Sequence, residues 1–488
     1  MQETAKEQDL KRKGFISTLS LFFQSGYSAF LGLIANLILT ILLSPTIFGI
    51  YITVLSLISF MNYFSDIGLA GALIQKKELV EDDLITTFTI QQVLTLALVI
   101  LGILGTGLIT KFYKLPPDGI TLYWALLIAF FISSFKTIPS VFLERKIEFQ
   151  KIVFVQIIES TVFYISVSVL ALMGFGLKSF TISVLLRSVV GLILIYKISF
   201  WLPKVGVSKA SVKELLSFGA PFQASSFLAL FKDDLIVLYL GKVLGFQGLG
   251  YIGWAKKWAD APLRIVMDNV SKVIFPLVAS FQDQTEKVKK LSEKILYFQT
   301  AILAPFFLGM IMIMRHFVEV IPKYQKWAPA LPLFYIFAIS SLILSFSAPF
   351  MNLFNALGKV KLSFSFMLLF TFLTWILTPA LTNLFGIFGF PIAHIIISIT
   401  FALVIVKAKR LINFDFASSV FPFLVSTICM AVLLYTIEVF VKLHPLILIS
   451  LQIVIGTTSY FFLLIFIFKI NIITEARSFF ARKESYYE

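Results

Sequence analysis

The residues able to do chemistry are charged side chains set inside long apolar runs. Lys256, Asp260, Arg264, Asp268 and Lys272 follow one another at intervals of four. On a helix each such step advances only about 40°. The five therefore form a slowly winding stripe of alternating sign, each charge one turn from an opposite neighbour. Two readings stand: a self-neutralising ladder that lets a helix enter a membrane, or a polar wall on a water-filled cavity. On the second, Arg264 is the best-placed cation for an anionic substrate, with Lys256, Asp260 and Asp268 beside it. Pro262 removes a backbone donor beside Arg264 and can kink the helix there.

Lys232-Asp233-Asp234 interrupts another run. Three consecutive charges cannot share one helix face, so at least one is expected to pair with a neighbouring helix. Asp233 and Asp234 are candidates for ion coupling, and Lys232 for substrate contact or structural pairing. Lys136, Glu159 and Arg187 stand singly in three further runs. Glu159 and Arg187 fall at comparable depth and are expected to pair. His394 is the only histidine deep in a run. Histidine titrates near neutrality, which suits proton coupling, and a hydrogen bond to a neighbouring helix is the plainer use. Asp66 reads as a loop-packing residue at the end of a run. Gln24, Asn36, Asn62 and Gln223 supply neutral polar groups inside runs.

No HExxH, GxxxxGK[ST] or CxxC pattern occurs, so the chain offers no zinc-protease, phosphate-loop or dithiol chemistry. The single cysteine, Cys429, has no intrachain partner. No metal and no cofactor are expected, with proton or sodium coupling the one small-ion role left open.

These side chains need a scaffold, and composition says which. Of 488 residues 59% are hydrophobic and 14% charged, with 54 Phe, whereas a soluble domain is about 45–50% apolar and about 25% charged. A helix crosses the hydrocarbon core with about 20 apolar residues. Runs of that length recur about fourteen times, from about residue 15 to about residue 468, each bounded by charge, Pro or Gly. The expected fold class is an all-α integral membrane protein. Lys11-Arg12-Lys13, Arg145-Lys146, Lys287 with Lys289-Lys290, Lys407 with Lys409-Arg410 and Arg482-Lys483 fall in alternate loops. Read by the positive-inside rule, that alternation places both termini in the cytoplasm of a multi-pass plasma membrane protein. The net charge of +15 then encodes topology and attraction to anionic membrane lipid, with no nucleic-acid partner. No loop has room for a soluble catalytic domain, so no enzyme activity is expected.

The sequence also echoes itself. Phe48-Gly49-Ile50-Tyr51 returns as Leu249-Gly250-Tyr251-Ile252, and Phe23-Gln24-Ser25 as Phe222-Gln223-Ala224-Ser225, each about 200 residues later. Six spans separate the copies, so both share one orientation, as in transporters built from parallel repeats.

Phe48-Gly49-Ile50-Tyr51, then Phe64-Ser65-Asp66-Ile67-Gly68-Leu69, then Ala72-Leu73-Ile74-Gln75-Lys76 closely resemble the N-terminal signature of Wzx-type polysaccharide exporters. These belong to the multidrug/oligosaccharidyl-lipid/polysaccharide (MOP) superfamily. Leu143-Glu144-Arg145-Lys146-Ile147-Glu148-Phe149, Asp234 through Gly241 to Tyr251, and Asn355-Ala356-Leu357-Gly358-Lys359 resemble its later landmarks. The likeness implies two pseudo-symmetric six-helix lobes in a V, over residues 14–202 and 203–410. Two additional helices follow at 411–470, between cytoplasmic tails at 1–13 and 471–488. It implies a flippase moving a polyprenyl-pyrophosphate-linked oligosaccharide to the outer leaflet by alternating access, with other polysaccharide-assembly membrane proteins as possible partners. Arg264, Lys232 or Arg187 would hold the pyrophosphate, and Lys136, Gln24, Asn62 and Gln223 would line the cavity. Related lipid II flippases use arginines in their first two spans. This chain has no Arg between residues 13 and 144, which favours a different glycan. A drug exporter of the same superfamily is the nearest rival. A membrane glycosyltransferase is disfavoured, because Asp118, Glu319 and Glu438 are widely separated acids on short loops.

Overall fold

The computed structural model describes the backbone of residues 2–281 and 284–471, with the side chains of 2–15, 18, 218–229, 268–277, 279 and 280 outside the description. Among the described residues every regular element is helical. The helices are α1 (Gln2–Leu42), α2 (Pro45–Asp66), α3 (Leu69–Gln75), α4 (Glu81–Leu104), α5 (Thr106–Tyr113), α6 (Pro117–Ser134), α7 (Thr137–Arg145), α8 (Phe149–Leu172) and α9 (Lys178–Ile198). They continue as α10 (Lys209–Ser280), α11 (Thr285–Val320), α12 (Leu331–Ser345), α13 (Ala348–Ala356), α14 (Val360–Phe385), α15 (Gly389–Ile399), α16 (Phe401–Ile412), α17 (Phe416–Phe440) and α18 (Pro445–Phe462). A helix satisfies every backbone donor and acceptor within itself, which hydrocarbon demands of a spanning segment.

Among the described residues twelve helical segments are long and apolar enough to cross a membrane, by length and composition. The sequence leads one to expect about fourteen, and the difference lies in two segments, Leu230–Met267 and Val360–Ile412, of 38 and 53 residues. At 1.5 Å per residue the first reaches about 57 Å and the second about 80 Å against a hydrocarbon core of roughly 30 Å, so each is longer than one crossing needs. Each is also interrupted where the sequence placed a boundary. In α10, Gly245 leaves helical geometry at φ 68°, ψ 177°, and Gly386 follows α14 at φ 58°.

Gly49 and Gly250, the glycines of the echoed motifs, interlock. A methyl group at Gly49 would lie 1.7 Å from the Phe246 carbonyl oxygen, and one at Gly250 would lie 1.9 Å from that of Pro45. Each copy thus meets backbone about one turn before the other's glycine. No residue with a side chain permits that approach.

The chain divides into two compact units. The first holds residues up to Trp254 together with Met367–Phe390. Its core centres on Val54, Leu122, Tyr123, Leu127 and Val167, all at most 1% exposed, with Tyr51 stacked on Phe180 at 4.1 Å. The second holds Ala255–Phe366 and the residues from Pro391 onward. It is built on Phe307, Phe334, Phe337, Phe350, Phe354 and Phe423, all buried. There α17 and α18 pack on α11, where the Tyr460 hydroxyl donates to the Ala301 carbonyl at 2.8 Å. The glycine interlock ties the stretch around 246–250 to α2 within the first unit.

Candidate functional site

Two spans of the first unit are broken, and the breaks face one cavity. After α2 the chain turns through Ile67 and Gly68, both left-handed at φ 46° and 76°, before α3 begins. A left-handed isoleucine is strained, since its branched Cβ crowds the backbone, and the surroundings must hold it. Asp66 accepts a hydrogen bond from the Ala70 amide at 3.1 Å, capping the short helix. At the other end Arg145 donates to the carbonyls of Leu73 at 2.7 Å and Lys77 at 3.0 Å. A carboxylate at the N-terminal end and a guanidinium at the C-terminal end each oppose the helix dipole. Two motifs about eighty residues apart therefore grip α3 at its two ends, which gives their order and spacing a physical meaning.

The second break separates α6 from α7 at Phe135 and Lys136. Between the two breaks lies a cavity of about 630 Å³, lined by Asn62, Tyr63, Asp66, Gln91, Lys136 and Glu144 with the hydroxyls of Ser65, Ser133, Thr137 and Ser140. Burial pushes the Glu144 carboxyl above its ordinary value. On the loop after α3, the carboxylates of Asp83 and Glu214, both 2.8 Å from the Lys76 ammonium, push that lysine up.

Lys136 also belongs to a triad. Its ammonium donates to Glu159 Oε1 at 2.7 Å, and Arg187 Nε lies 3.8 Å from Glu159 Oε2. The pairing of Glu159 with Arg187 follows the sequence expectation, while the participation of Lys136 was legible only in three dimensions. The Glu159 side chain is 7% exposed and that of Arg187 49%. A methyl group at Gly191 would fall 1.6 Å from Glu159 Oε1, so the missing side chain there makes room for the carboxylate. Two cations on one carboxylate leave one positive charge uncompensated, and Arg187 presents it outward.

Over residues 38–332 the chain matches the family model described as polysaccharide biosynthesis protein. The chain belongs to that family. The chain is 26% identical over 353 residues to the lipopolysaccharide biosynthesis protein WzxC of Escherichia coli (strain K12), covering 70% of each chain. Its fold is similar to that of the lipid II flippase MurJ in an inward closed conformation, with a TM-score of 0.75 at 15% identity, over 93% of this chain and 99% of that one. It is also similar to an inward-facing multidrug resistance MATE family transporter of the MOP superfamily, at a TM-score of 0.60 and 15% identity, over 81% and 98%. At such identities the likeness concerns fold alone. With twelve apolar helical segments it is a multi-pass membrane protein.

The remaining candidates of this polysaccharide biosynthesis protein fall into several groups. Asn62 lines the cavity, as does Asp66, which the sequence reading placed in loop packing and which does both. Gln24 donates to Gln156 Oε1 at 2.6 Å, on the α1–α8 face. Lys232 lies 3.6 Å from Asp233, with 37% and 66% of their side chains exposed. That pairing is local, in place of the expected pairing to another helix. In the second unit Lys256 meets Asp260 at 2.9 Å, and the Ser341 hydroxyl donates to the other carboxylate oxygen at 2.7 Å. His394 packs edge-on to Phe337 at 5.5 Å and lies within electrostatic range of Asp260. The first step of the charged stripe is thus a real ion pair. Arg264 is exposed and has no ion-pair partner among the described residues. Asp268 and Gln223 lie outside the described residues. Among the described residues no group of His, Cys, Asp and Glu is arranged to hold a metal ion.

Gln91, Glu144 and Gly191 were not singled out as site residues. Gln91 and Gly191 carry no charge in the sequence, and Glu144 reads as a loop acid until α7 turns it toward the cavity.

Proposed function

We propose that this protein is a flippase that carries a polyprenyl-(pyro)phosphate-linked oligosaccharide from the inner to the outer leaflet for cell-surface polysaccharide assembly. Membership of the family and the lipopolysaccharide role in WzxC's name support the glycan. The observation that carries the mechanism is the Lys136–Glu159–Arg187 triad, whose surplus positive charge matches a diphosphate. In the low dielectric of a membrane protein such a charge-assisted contact is about twice as strong as a neutral hydrogen bond. Arg187 provides a planar fork and Lys136 a compact charge. Both act by binding, and no covalent step or cofactor is assigned. Lobes at 14–202 and 203–410 would alternate access around the substrate, with fourteen crossings and both termini in the cytoplasm. Arg264, Lys232 and Asp268 would extend the anion path, and Gln223 and Gln24 the polar lining. Proton or sodium coupling would fall to Asp260 with His394, or to Glu159, Asp233 and Asp234. Other assembly proteins of the same membrane are proposed partners.

Reconstitution into liposomes tests this reading, with a fluorescent polyprenyl-diphosphate sugar whose outer-leaflet fraction is followed by a membrane-impermeant quencher. Wild type should equilibrate the lipid and Arg187→Ala should slow it by about tenfold or more, with Arg187→Lys between. Unchanged translocation by well-folded Arg187→Ala removes the triad from the mechanism. A wild type that moves a cationic dye and no lipid-linked sugar would favour the drug-exporter reading, for which the MATE-like fold is the supporting observation.

A further inference from the structure

The cavity between the two breaks has more hydrogen-bond acceptors than donors. Asp66 and Glu144 line it, and neither has a cation within ion-pair distance among the described residues. Gln91 is 5% exposed. Its amide nitrogen donates to Thr137 at 2.8 Å, while its carbonyl oxygen has no partner among the described residues. A buried acceptor left unmatched is costly, and Gln91 stands on the cavity wall. The one ammonium on the wall, that of Lys136, is engaged by Glu159 at 2.7 Å.

Such a surface asks for a ligand rich in donors and free of negative charge. Size separates the two kinds that qualify. A dehydrated cation needs about six oxygens converging at about 2.3–2.6 Å. A cavity of about 630 Å³ is far larger than one dehydrated ion fills, and lies in the range of organic ligand sites. A sugar unit fits both chemistry and size. Each hydroxyl donates one hydrogen bond, a carboxylate offers about four acceptor sites, and Ser140, Thr137 and Asn62 can serve the ring oxygens. We propose that this cavity seats a neutral, hydroxyl-rich sugar unit of the carried glycan, held by Asp66, Glu144 and Gln91, and that it rejects a uronic acid in the same position. The inference rests on the flippase reading. It adds which part of the substrate the first unit holds and what chemical class that part has. Lys136, shared by cavity and triad, then sits at the junction of sugar and diphosphate.

The test uses the full-length chain in lipid nanodiscs, with methyl glucoside and methyl glucuronide as probes in saturation-transfer NMR. Wild type is expected to bind the glucoside at millimolar strength and the glucuronide at least about tenfold more weakly. Glu144→Gln keeps the side-chain volume and removes the charge, and should weaken the glucoside about tenfold while narrowing the gap between probes. Gln91→Met removes only the amide and serves if Glu144→Gln compromises folding. The proposal is overturned if the glucuronide binds as well as the glucoside, or if the folded variant leaves both probes unchanged. No glucoside signal at about 100 mM overturns it too. Glucoside binding that requires sodium over potassium also overturns it, because a cation would then occupy the carboxylates. Translocation of lipid-linked sugar with unchanged probe binding in Glu144→Gln sinks the sugar seat and leaves the flippase standing. Absent translocation in wild type sinks the flippase, while the probe selectivity remains readable by itself.

Discussion

The break between α6 and α7 and its counterpart about 210 residues later share one backbone plan and fill it oppositely. α6 stops at Ser134 and α7 resumes at Thr137, while α12 stops at Ser345 and α13 resumes at Ala348. A phenylalanine opens each break, Phe135 and Phe346, and a left-handed residue follows each short helix, Ile147 at φ 56° and Gly358 at φ 69°. In the first unit the next position is Lys136, which reaches a buried carboxylate, and the short helix carries Glu144 and Arg145. In the second it is Ser347, 2% exposed, and α13 has no charge. Phe350 stacks on Phe414 at 4.7 Å and Phe354 on Phe366 at 6.0 Å. A repeated backbone therefore makes a polar cavity in one copy and an aromatic core in the other. The difference teaches that the break is architecture, and that the side chains placed on it decide whether it binds anything.

Four substitutions break or sharpen that contrast. The largest effect is expected for Glu159→Leu, which leaves Lys136 and Arg187 facing one another without their carboxylate. Removing one partner of a buried charge cluster costs about 3–5 kcal/mol, near the lower figure here because Arg187 is half exposed. Thermal unfolding in detergent should show it, and Gly191→Ala should reproduce it by displacing the carboxylate. A stable Glu159→Leu protein with wild-type translocation would dissolve the ionic side of the comparison.

Phe350→Ala probes the aromatic side. Truncating a fully buried Phe costs about 3 kcal/mol or somewhat more through the lost transfer energy and the cavity left behind. The folded fraction should still translocate at the wild-type rate, and a tenfold slower rate at equal stability would show that the second break does more than pack. Ser341→Ala is the mildest. It removes one of the two partners given for Asp260 and should cost about 1–2 kcal/mol by denaturant titration, with the Lys256 pair still in place. An effect no larger than that of an exposed serine would mean that Asp260 does not depend on it.

Much of this was legible beforehand. Runs of about 20 apolar residues can only be helices in hydrocarbon, so the fold class followed from composition and spacing alone. Glu159 with Arg187, and Lys256 with Asp260, could be paired because helical periodicity and depth along a span are one-dimensional quantities. The count of fourteen was less secure. Apolar length marks where crossings are possible, and whether the 53-residue segment Val360–Ile412 turns back depends on a few backbone angles near Gly386.

What stayed hidden was three-dimensional. Asp66 and Arg145 stand in separate motifs, and only the fold brings them to the two ends of α3. Gly49 and Gly250 read as an echo, and only the structure shows that each holds open the space the other's backbone enters. The sequence by itself determined the membrane, the helices and the charged positions, because solvation and periodicity act along the chain. Tertiary structure alone decided that Lys136 joins a triad and that Gln91, Glu144 and Asp66 face one cavity, because those meetings depend on how helices pack and where they break.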